Sequence, residues 1–391
     1  MKKTIWYFGL EPLKARYTYQ LSEEWIPASF KDLDVNFEHV RGSRPESEEI
    51  KVGSVLDATG RGIYALTQCA KFLELIQSGK VKNGDAVYVQ DFWHPGLEAI
   101  FYAIDLYGLE LEFYSMLHAQ SVDEYDFTYY MRDWMRYFEL GIDKRMTAIF
   151  VGSSIHKDQL RAAGFNAPIH VVSLPIHKEL TYDILPDNMK SPTAIVGRKN
   201  NVVFCSRFDK EKNPYFLMEV AEEFLEVNPD WTFTITTSGA NIVSSVPGVV
   251  DDLVALAERN PRFIIRAGIT KQEYYTELRT SRILFNSSLQ DYVSWTSLEG
   301  STFGIDLVFP NFRSFPDFID PADGYIPFQL DSALSKLQEA VDREFVTGKY
   351  AWIADVSDLG RQFEAWAIAN AYIREVNIWH ERPFLEKLIS Q

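Results

Sequence analysis

Short β-rich apolar runs alternate with amphipathic stretches from one end of the chain to the other. In residues 1–180 the pattern predicts strands over 4–9, 35–40, 54–59, 86–91, 111–117, 147–153 and 169–174. Helical spacing falls between them, over 63–77, 96–107, 129–140 and 154–163. The stretch 181–200 carries two prolines and no periodicity, and reads as a linker. A second series follows, with strands expected over 201–208, 232–239, 262–268, 282–288 and 306–312 and helices near 213–227, 249–259, 271–280 and 291–303. Residues 361–391 read as a closing helix, interrupted by Pro383, after a second domain over 201–360. Strand and helix in alternation define two α/β domains, each a doubly wound parallel sheet, Rossmann-like in kind.

Length agrees with that division, because 391 residues exceed what one growing core accommodates. No apolar run approaches the ~18 residues of a membrane span, and the apolar patch after Lys2 and Lys3 meets Glu11 too soon for a signal segment. Only two cysteines occur, Cys69 and Cys205, far apart and without metal-ligand spacing, which fits a cytoplasmic chain and argues against a disulfide framework. The formal charge of −16 disfavours a whole-surface grip on nucleic acid. The deficit is uneven: residues 1–200 carry 22 Lys and Arg against 27 Asp and Glu, so a polyanion would meet this half more readily than the rest.

Doubly wound sheets bind ligands at the carboxyl ends of their strands, so chemistry is sought there. Arg207 and Lys212 in "CSRFDKEKNP" follow the first strand of the second half and precede its first helix. A guanidinium fork, an ammonium and a helix start can converge on a diphosphate. The competing reading is a solvated turn in which Arg207 pairs with Asp209 and Glu211. Further on, "SLQDYVSWTSLEGSTFG" sets Asp291 and Glu299 eight residues apart, about two helical turns, with Thr296 and Ser297 between them. Both carboxylates could project from one side of a helical segment toward sugar hydroxyls. Alternatively, Asp291 caps the helix and Glu299 is solvated.

Together these residues resemble the donor domain of the retaining glycosyltransferase family four, which has the GT-B fold. Arg207-x(4)-Lys212 matches its R-x(4)-K, Asp291-x(7)-Glu299 its E-x(7)-E, and "FRSFPDFI" over 312–319 stands at its proline turn. The resemblance implies two facing Rossmann-like domains and a C-terminal helix that crosses back to the first. It implies a nucleotide-sugar donor, with a UDP-sugar expected, and no cofactor or metal. Arg207 and Lys212 would hold the diphosphate, Glu299 the ribose hydroxyls and Asp291 the transferred sugar, with Gly9, Gly268, Thr296 and Ser297 completing the donor site. Asp291 is one methylene shorter than the family's glutamate, and "YVSW" replaces its glycine-rich segment, so the sugar pocket is remodelled. His118, at a strand end, falls where similar enzymes present a histidine to the donor sugar.

The first hundred residues resemble phage-encoded glycosyltransferases, among which are enzymes that glycosylate hydroxymethylated pyrimidines in DNA; the compartment would then be the host cytoplasm. Trp93, His94, Arg16 and Tyr17 are the candidate acceptor residues. For a flipped base, Trp6, Trp25, Tyr130 and Trp134 are further stacking candidates, and Lys14, Arg41, Arg44, Arg61, Lys80, Lys82, Arg132 and Arg136 further phosphate ligands. The acceptors left open are saccharide, lipid and protein. An epimerase acting on the nucleotide sugar and a non-catalytic nucleotide-sugar binder also remain. Asp32 and Asp34 form a D-x-D that reads as a solvated turn.

Overall fold

The computed structural model describes residues 3–10, 13, 17–31, 36–43, 58–118, 121–126, 128–172, 174, 176, 178–191 and 197–343. The expected closing helix, Asp32, Asp34 and Arg16 lie outside these residues. The chain divides into two compact units between Pro175 and Ile176.

In the first unit the strands are β1 (Thr4–Phe8), β2 (Asn36–His39), β3 (Ala86–Val89), β4 (Glu112–Met116), β5 (Ala148–Val151) and β6 (Ile169–Val171). They form one parallel sheet in the order β2-β1-β3-β4-β5-β6. Helices α3 (Ala58–Gln77), α4 (Leu97–Tyr107), α5 (Arg132–Asp143) and α6 (Ser154–Ala162) connect its later strands. Near-continuous apolar runs form β1, β3 and β5, as coverage of both faces requires, and the burial of Val87, Val89, Ile149 and Val151 bears this out. Fully burying each such side chain contributes about 1.5–3 kcal/mol. The strand expected over 54–59 falls mostly outside the described residues, and its last two positions, Ala58 and Thr59, open α3. Between β1 and β2, α1 (Tyr17–Tyr19) and α2 (Ile26–Lys31) flank a π-helical turn at Gln20–Trp25.

The second unit opens with α7 (Lys178–Asp183), which runs into the stretch expected as linker over 181–200. Tyr182 explains the difference: it is buried, and its hydroxyl donates to the Thr302 carbonyl at 2.9 Å. Strands β7 (Lys199–Phe204), β8 (Thr232–Thr237), β9 (Phe263–Ala267), β10 (Ser281–Phe285) and β11 (Asp306–Val308) form a parallel sheet in the order β11-β10-β7-β8-β9. Its helices are α8 (Pro214–Val227), α9 (Val249–Arg259), α10 (Lys271–Thr280), α11 (Trp295–Thr302) and α12 (Leu330–Asp342). Phe233 makes ring contacts with Phe224, Phe263 and Phe285 in the core between them.

In each sheet the strand order reverses once. The reversal lies between β1 and β3 in the first unit and between β7 and β10 in the second. At such a point the two connections leave on opposite faces and a crevice opens at the carboxyl edge, where ligands bind.

Candidate functional site

At the reversal of the second unit, β7 exits into Cys205–Asn213. Asn213 takes a left-handed backbone with φ 51°, and Pro214 occupies the first turn of α8. Asparagine tolerates that conformation and proline pre-sets the helical φ, so the chain turns sharply and α8 starts directly after Lys212. The exit of β10 is stitched to this turn. Ser287 Oγ donates to the Lys212 carbonyl at 2.7 Å, and the Leu289 amide to the Glu211 carbonyl at 2.7 Å.

The Lys212 side chain is 8% exposed. Its Nζ donates to Asp291 Oδ2 at 2.9 Å and to the Gln290 carbonyl at 3.2 Å. An ammonium has three donors, so one remains for a ligand. Ser314, in the proline turn, donates through Oγ to the Asp291 carbonyl. The structure thus brings Lys212, Asp291 and the proline turn together.

Arg207 stands differently. Its side chain is 61% exposed and pairs with Glu211 at 2.8 Å and Asp209 at 3.4 Å, the arrangement of the solvated-turn reading. Its cation stays accessible to an anion that outcompetes these carboxylates. Exposed pairs of this kind contribute little, so Arg207→Ala is expected to change the unfolding free energy by less than about 0.5 kcal/mol in urea titrations.

Asp291 is not on a helix. Helix α11 starts at Trp295, and Ser294 caps it by accepting from the Ser297 amide. The eight-residue spacing therefore does not place both carboxylates on one helical face. Asp291 lies in the loop against Lys212, whereas Glu299 is inside α11 and only 4% exposed, which excludes the solvated reading. Glu299 Oε1 accepts from Lys271 Nζ at 2.6 Å and the Tyr275 hydroxyl at 2.9 Å, and Oε2 from the Tyr274 hydroxyl at 2.6 Å. All three donors come from the first turns of α10. No sequence motif signals these partners; they meet Glu299 only because α10 packs on α11. Burial, followed by the Glu299 charge, holds the Tyr274 hydroxyl well above the usual tyrosine range.

Ser297 spends its hydroxyl on the Ser294 carbonyl at 2.7 Å, and Thr296 Oγ1 lies 3.1 Å from Ser294 Oγ. Gly268 ends β9 with φ 69°, a left-handed conformation that suits glycine, and its amide donates to the Gly239 carbonyl at 2.7 Å.

In the first unit, Gly9 and Gln90 flank the reversal. Gln90 Oε1 accepts from the Tyr7 hydroxyl at 2.6 Å, Ser22 Oγ at 2.6 Å and the Leu10 amide at 3.1 Å. A Cβ on Gly9 would stand 2.9 Å from His39 Nε2, so glycine lets the loop pass that ring. His118 Nε2 is 2.9 Å from the Gln90 carbonyl. A carbonyl only accepts, so Nε2 carries the proton and Nδ1 holds the lone pair. Burial, only partly opposed by the charge of Asp91, lowers the His118 pKa. Asp91 pairs with Arg61, a buried contact, and Arg61 also lies over the Trp93 ring at 5.6 Å. Trp93 is half-buried beside them.

His94 does not present its ring to an acceptor. It is buried, with Nε2 at 3.0 Å from Gln68 Oε1 and Nδ1 at 3.8 Å from Cys69 Sγ, and burial lowers its pKa to about 4. Trp6 and Trp25 are core residues and unavailable for stacking. Tyr130 and Trp134, at 77% and 54% exposure, are open to solvent at the start of α5, and Arg132 lies over the Tyr129 ring at 4.2 Å. Arg41 pairs with Glu23, while Lys14 and Arg44 lie outside the described residues and Tyr17 is described only by its backbone.

No family model and no curated protein matches the sequence. Solved structures match the fold. OtsA in its apo form is 12% identical, with 94% of this chain and 99% of that chain covered at a TM-score of 0.61. Sucrose-phosphate synthase from Thermosynechococcus elongatus is 12% identical, with 97% and 99% covered at 0.58. A UDP-forming α,α-trehalose-phosphate synthase from Burkholderia xenovorans is 14% identical, with 78% and 77% covered at 0.56. The chain spans 56% of the S. aureus TarM chain and 61% of a GtfA/B chain that it also matches. The two parallel-sheet α/β units are those of the GT-B fold, as in OtsA and sucrose-phosphate synthase.

Proposed function

We propose that the chain is a nucleotide-sugar-dependent, metal-independent retaining glycosyltransferase. The observation that carries this reading is the Lys212–Asp291 contact at the strand reversal of the second unit. A cation fixed at a strand-end crevice can take up the negative charge that develops on a departing nucleoside diphosphate. Arg207 adds a fork-shaped donor from the same turn, and Asp291 is the carboxylate for the transferred sugar. Glu299 takes the ribose hydroxyls. In the first unit, His118 offers Nδ1 as a neutral acceptor. The donor is a UDP-sugar.

The acceptor of this reading is the hydroxymethyl group of a modified pyrimidine in DNA. The exposed Tyr130 and Trp134 and the neighbouring Arg132 support it, because exposed aromatic faces can stack on bases while a guanidinium meets phosphate. Intact-mass analysis of hydroxymethylcytosine-containing and unmodified DNA, incubated with the protein and a panel of nucleotide sugars, tests donor and acceptor together. A hexose- or pentose-sized gain confined to modified DNA is expected. Nucleoside diphosphate release without that gain removes the DNA acceptor and keeps the enzyme; release of none removes the glycosyltransferase.

A further inference from the structure

We propose that Lys271 sets the affinity of the site for ribonucleotides by occupying Glu299 until a ribose diol replaces it. This rests on the reading of Glu299 as the ribose carboxylate.

A carboxylate offers about four acceptor positions. Three are filled, by Lys271 and Tyr275 on Oε1 and Tyr274 on Oε2. A ribose brings two vicinal hydroxyls, so accepting both requires one protein donor to leave. The three donors are not equally free to do so. Tyr275 is fully buried, and its ring packs on Phe303 at 5.2 Å. The Tyr274 ring packs on Tyr275 at 5.5 Å. Lys271 is the partner with a flexible aliphatic stem, and its side chain is 34% exposed. Its Nζ also lies 4.5 Å from the Tyr275 ring centroid and 4.9 Å from that of Tyr274. Those rings give the ammonium a place to stay close by once the carboxylate is taken.

The exchange has a cost that depends on the ligand. The second hydroxyl of a ribonucleotide displaces the ammonium, whereas the single hydroxyl of a 2′-deoxynucleotide takes the position still open on Glu299 and leaves the ion pair in place. Removing the ammonium removes that cost and leaves a buried carboxylate that the diol satisfies better than a single hydroxyl does.

Titration calorimetry with UDP and 2′-deoxy-UDP tests this on the full chain. Lys271→Met is expected to bind UDP about two- to fivefold more tightly, the equivalent of a partly exposed ion pair. Its preference for UDP over 2′-deoxy-UDP should rise. Lys271→Arg, which keeps the charge, should resemble the unaltered protein. UDP binding that is unchanged or weaker in Lys271→Met overturns the exchange, as does an equal gain for both ligands. If Lys271→Met melts at a lower temperature, Lys271→Gln repeats the comparison. Glu299→Gln separates the premise from the proposal, because it should abolish the preference for UDP. A preference that survives in Glu299→Gln places the ribose elsewhere and overturns the reading of the site itself, as does the absence of UDP binding to the unaltered protein.

Discussion

Lys212→Ala is expected to lower the rate of sugar transfer by about 10²–10³-fold, the usual consequence of removing one preorganised stabilising donor. In the proposed reaction the ammonium acts on charge that appears as the diphosphate departs, so kcat and kcat/KM should fall together. Lys212→Arg should not restore the rate. The ammonium is a compact charge held between Asp291 Oδ2 and the Gln290 carbonyl, and the larger planar fork does not fit that contact. The fold should survive Lys212→Ala at a cost of about 1–3 kcal/mol, less than for a wholly buried pair, since Asp291 keeps a quarter of its side chain in water. Initial rates of nucleoside diphosphate release, read beside thermal melting, separate the two effects. A full rate in a folded Lys212→Ala protein would remove Lys212 from the chemistry and leave Arg207 and Lys210 as the cations of that turn.

The turn that carries Lys212 was legible in the sequence because it is local. Arg207 and Lys212 share one turn, and a strand, an asparagine and a proline announce that turn. Strands β1, β3 and β5 were legible because they are near-continuous apolar runs buried within their sheet. What was not legible depends on packing between distant segments. The spacing of Asp291 and Glu299 suggests one helical face, but Ser294 caps α11 after Asp291 has already turned toward Lys212. A serine three residues before Ser297, ahead of an apolar residue, is the signal that could have placed that helix start. The Glu299 partners on α10 carry no such signal. Helix α12 was missed although Leu330, Ala333, Leu334, Leu337, Ala340 and Val341 recur at helical spacing. The π-helical turn at Gln20–Trp25 has no sequence period of its own, and Pro27 in α2 argues against a helix that tertiary burial of Leu21, Trp25 and Ile26 nevertheless enforces.

Acidification from pH 7.5 to pH 5 is expected to destabilise the protein by several kcal/mol, because its buried histidines are held neutral. Burial lowers the pKa of His94 to about 4, of His156 to about 3 and of His170 to about 4, each assisted by a nearby cationic or titratable group. In the unfolded chain these rings take up protons near pH 6.5, whereas the native state refuses them until well below pH 5. The unfolded state therefore binds more protons throughout this window, and stability falls as pH falls. Each ring contributes a loss of about 2 kcal/mol at pH 5. Asp126 works in the opposite direction. Burial raises its carboxyl to about 6, so the native state gains a proton before the unfolded state does, returning about 1 kcal/mol at pH 5. His94 is the ring whose part can be isolated. Gln68 Nε2 donates to the Gly9 and Val40 carbonyls, so Gln68 Oε1 must accept from His94 Nε2. A glutamine at position 94 can supply that donor through its amide without taking up a proton. His94→Gln should therefore shrink the difference between urea unfolding at pH 7.5 and pH 5 by about 2 kcal/mol. Asp126→Asn should enlarge the same difference by about 1 kcal/mol, since it removes the compensating proton. A pH difference that His94→Gln leaves unchanged would mean that the interior around His94 admits a proton as readily as water does, which neither its burial nor the Arg61 charge beside it allows.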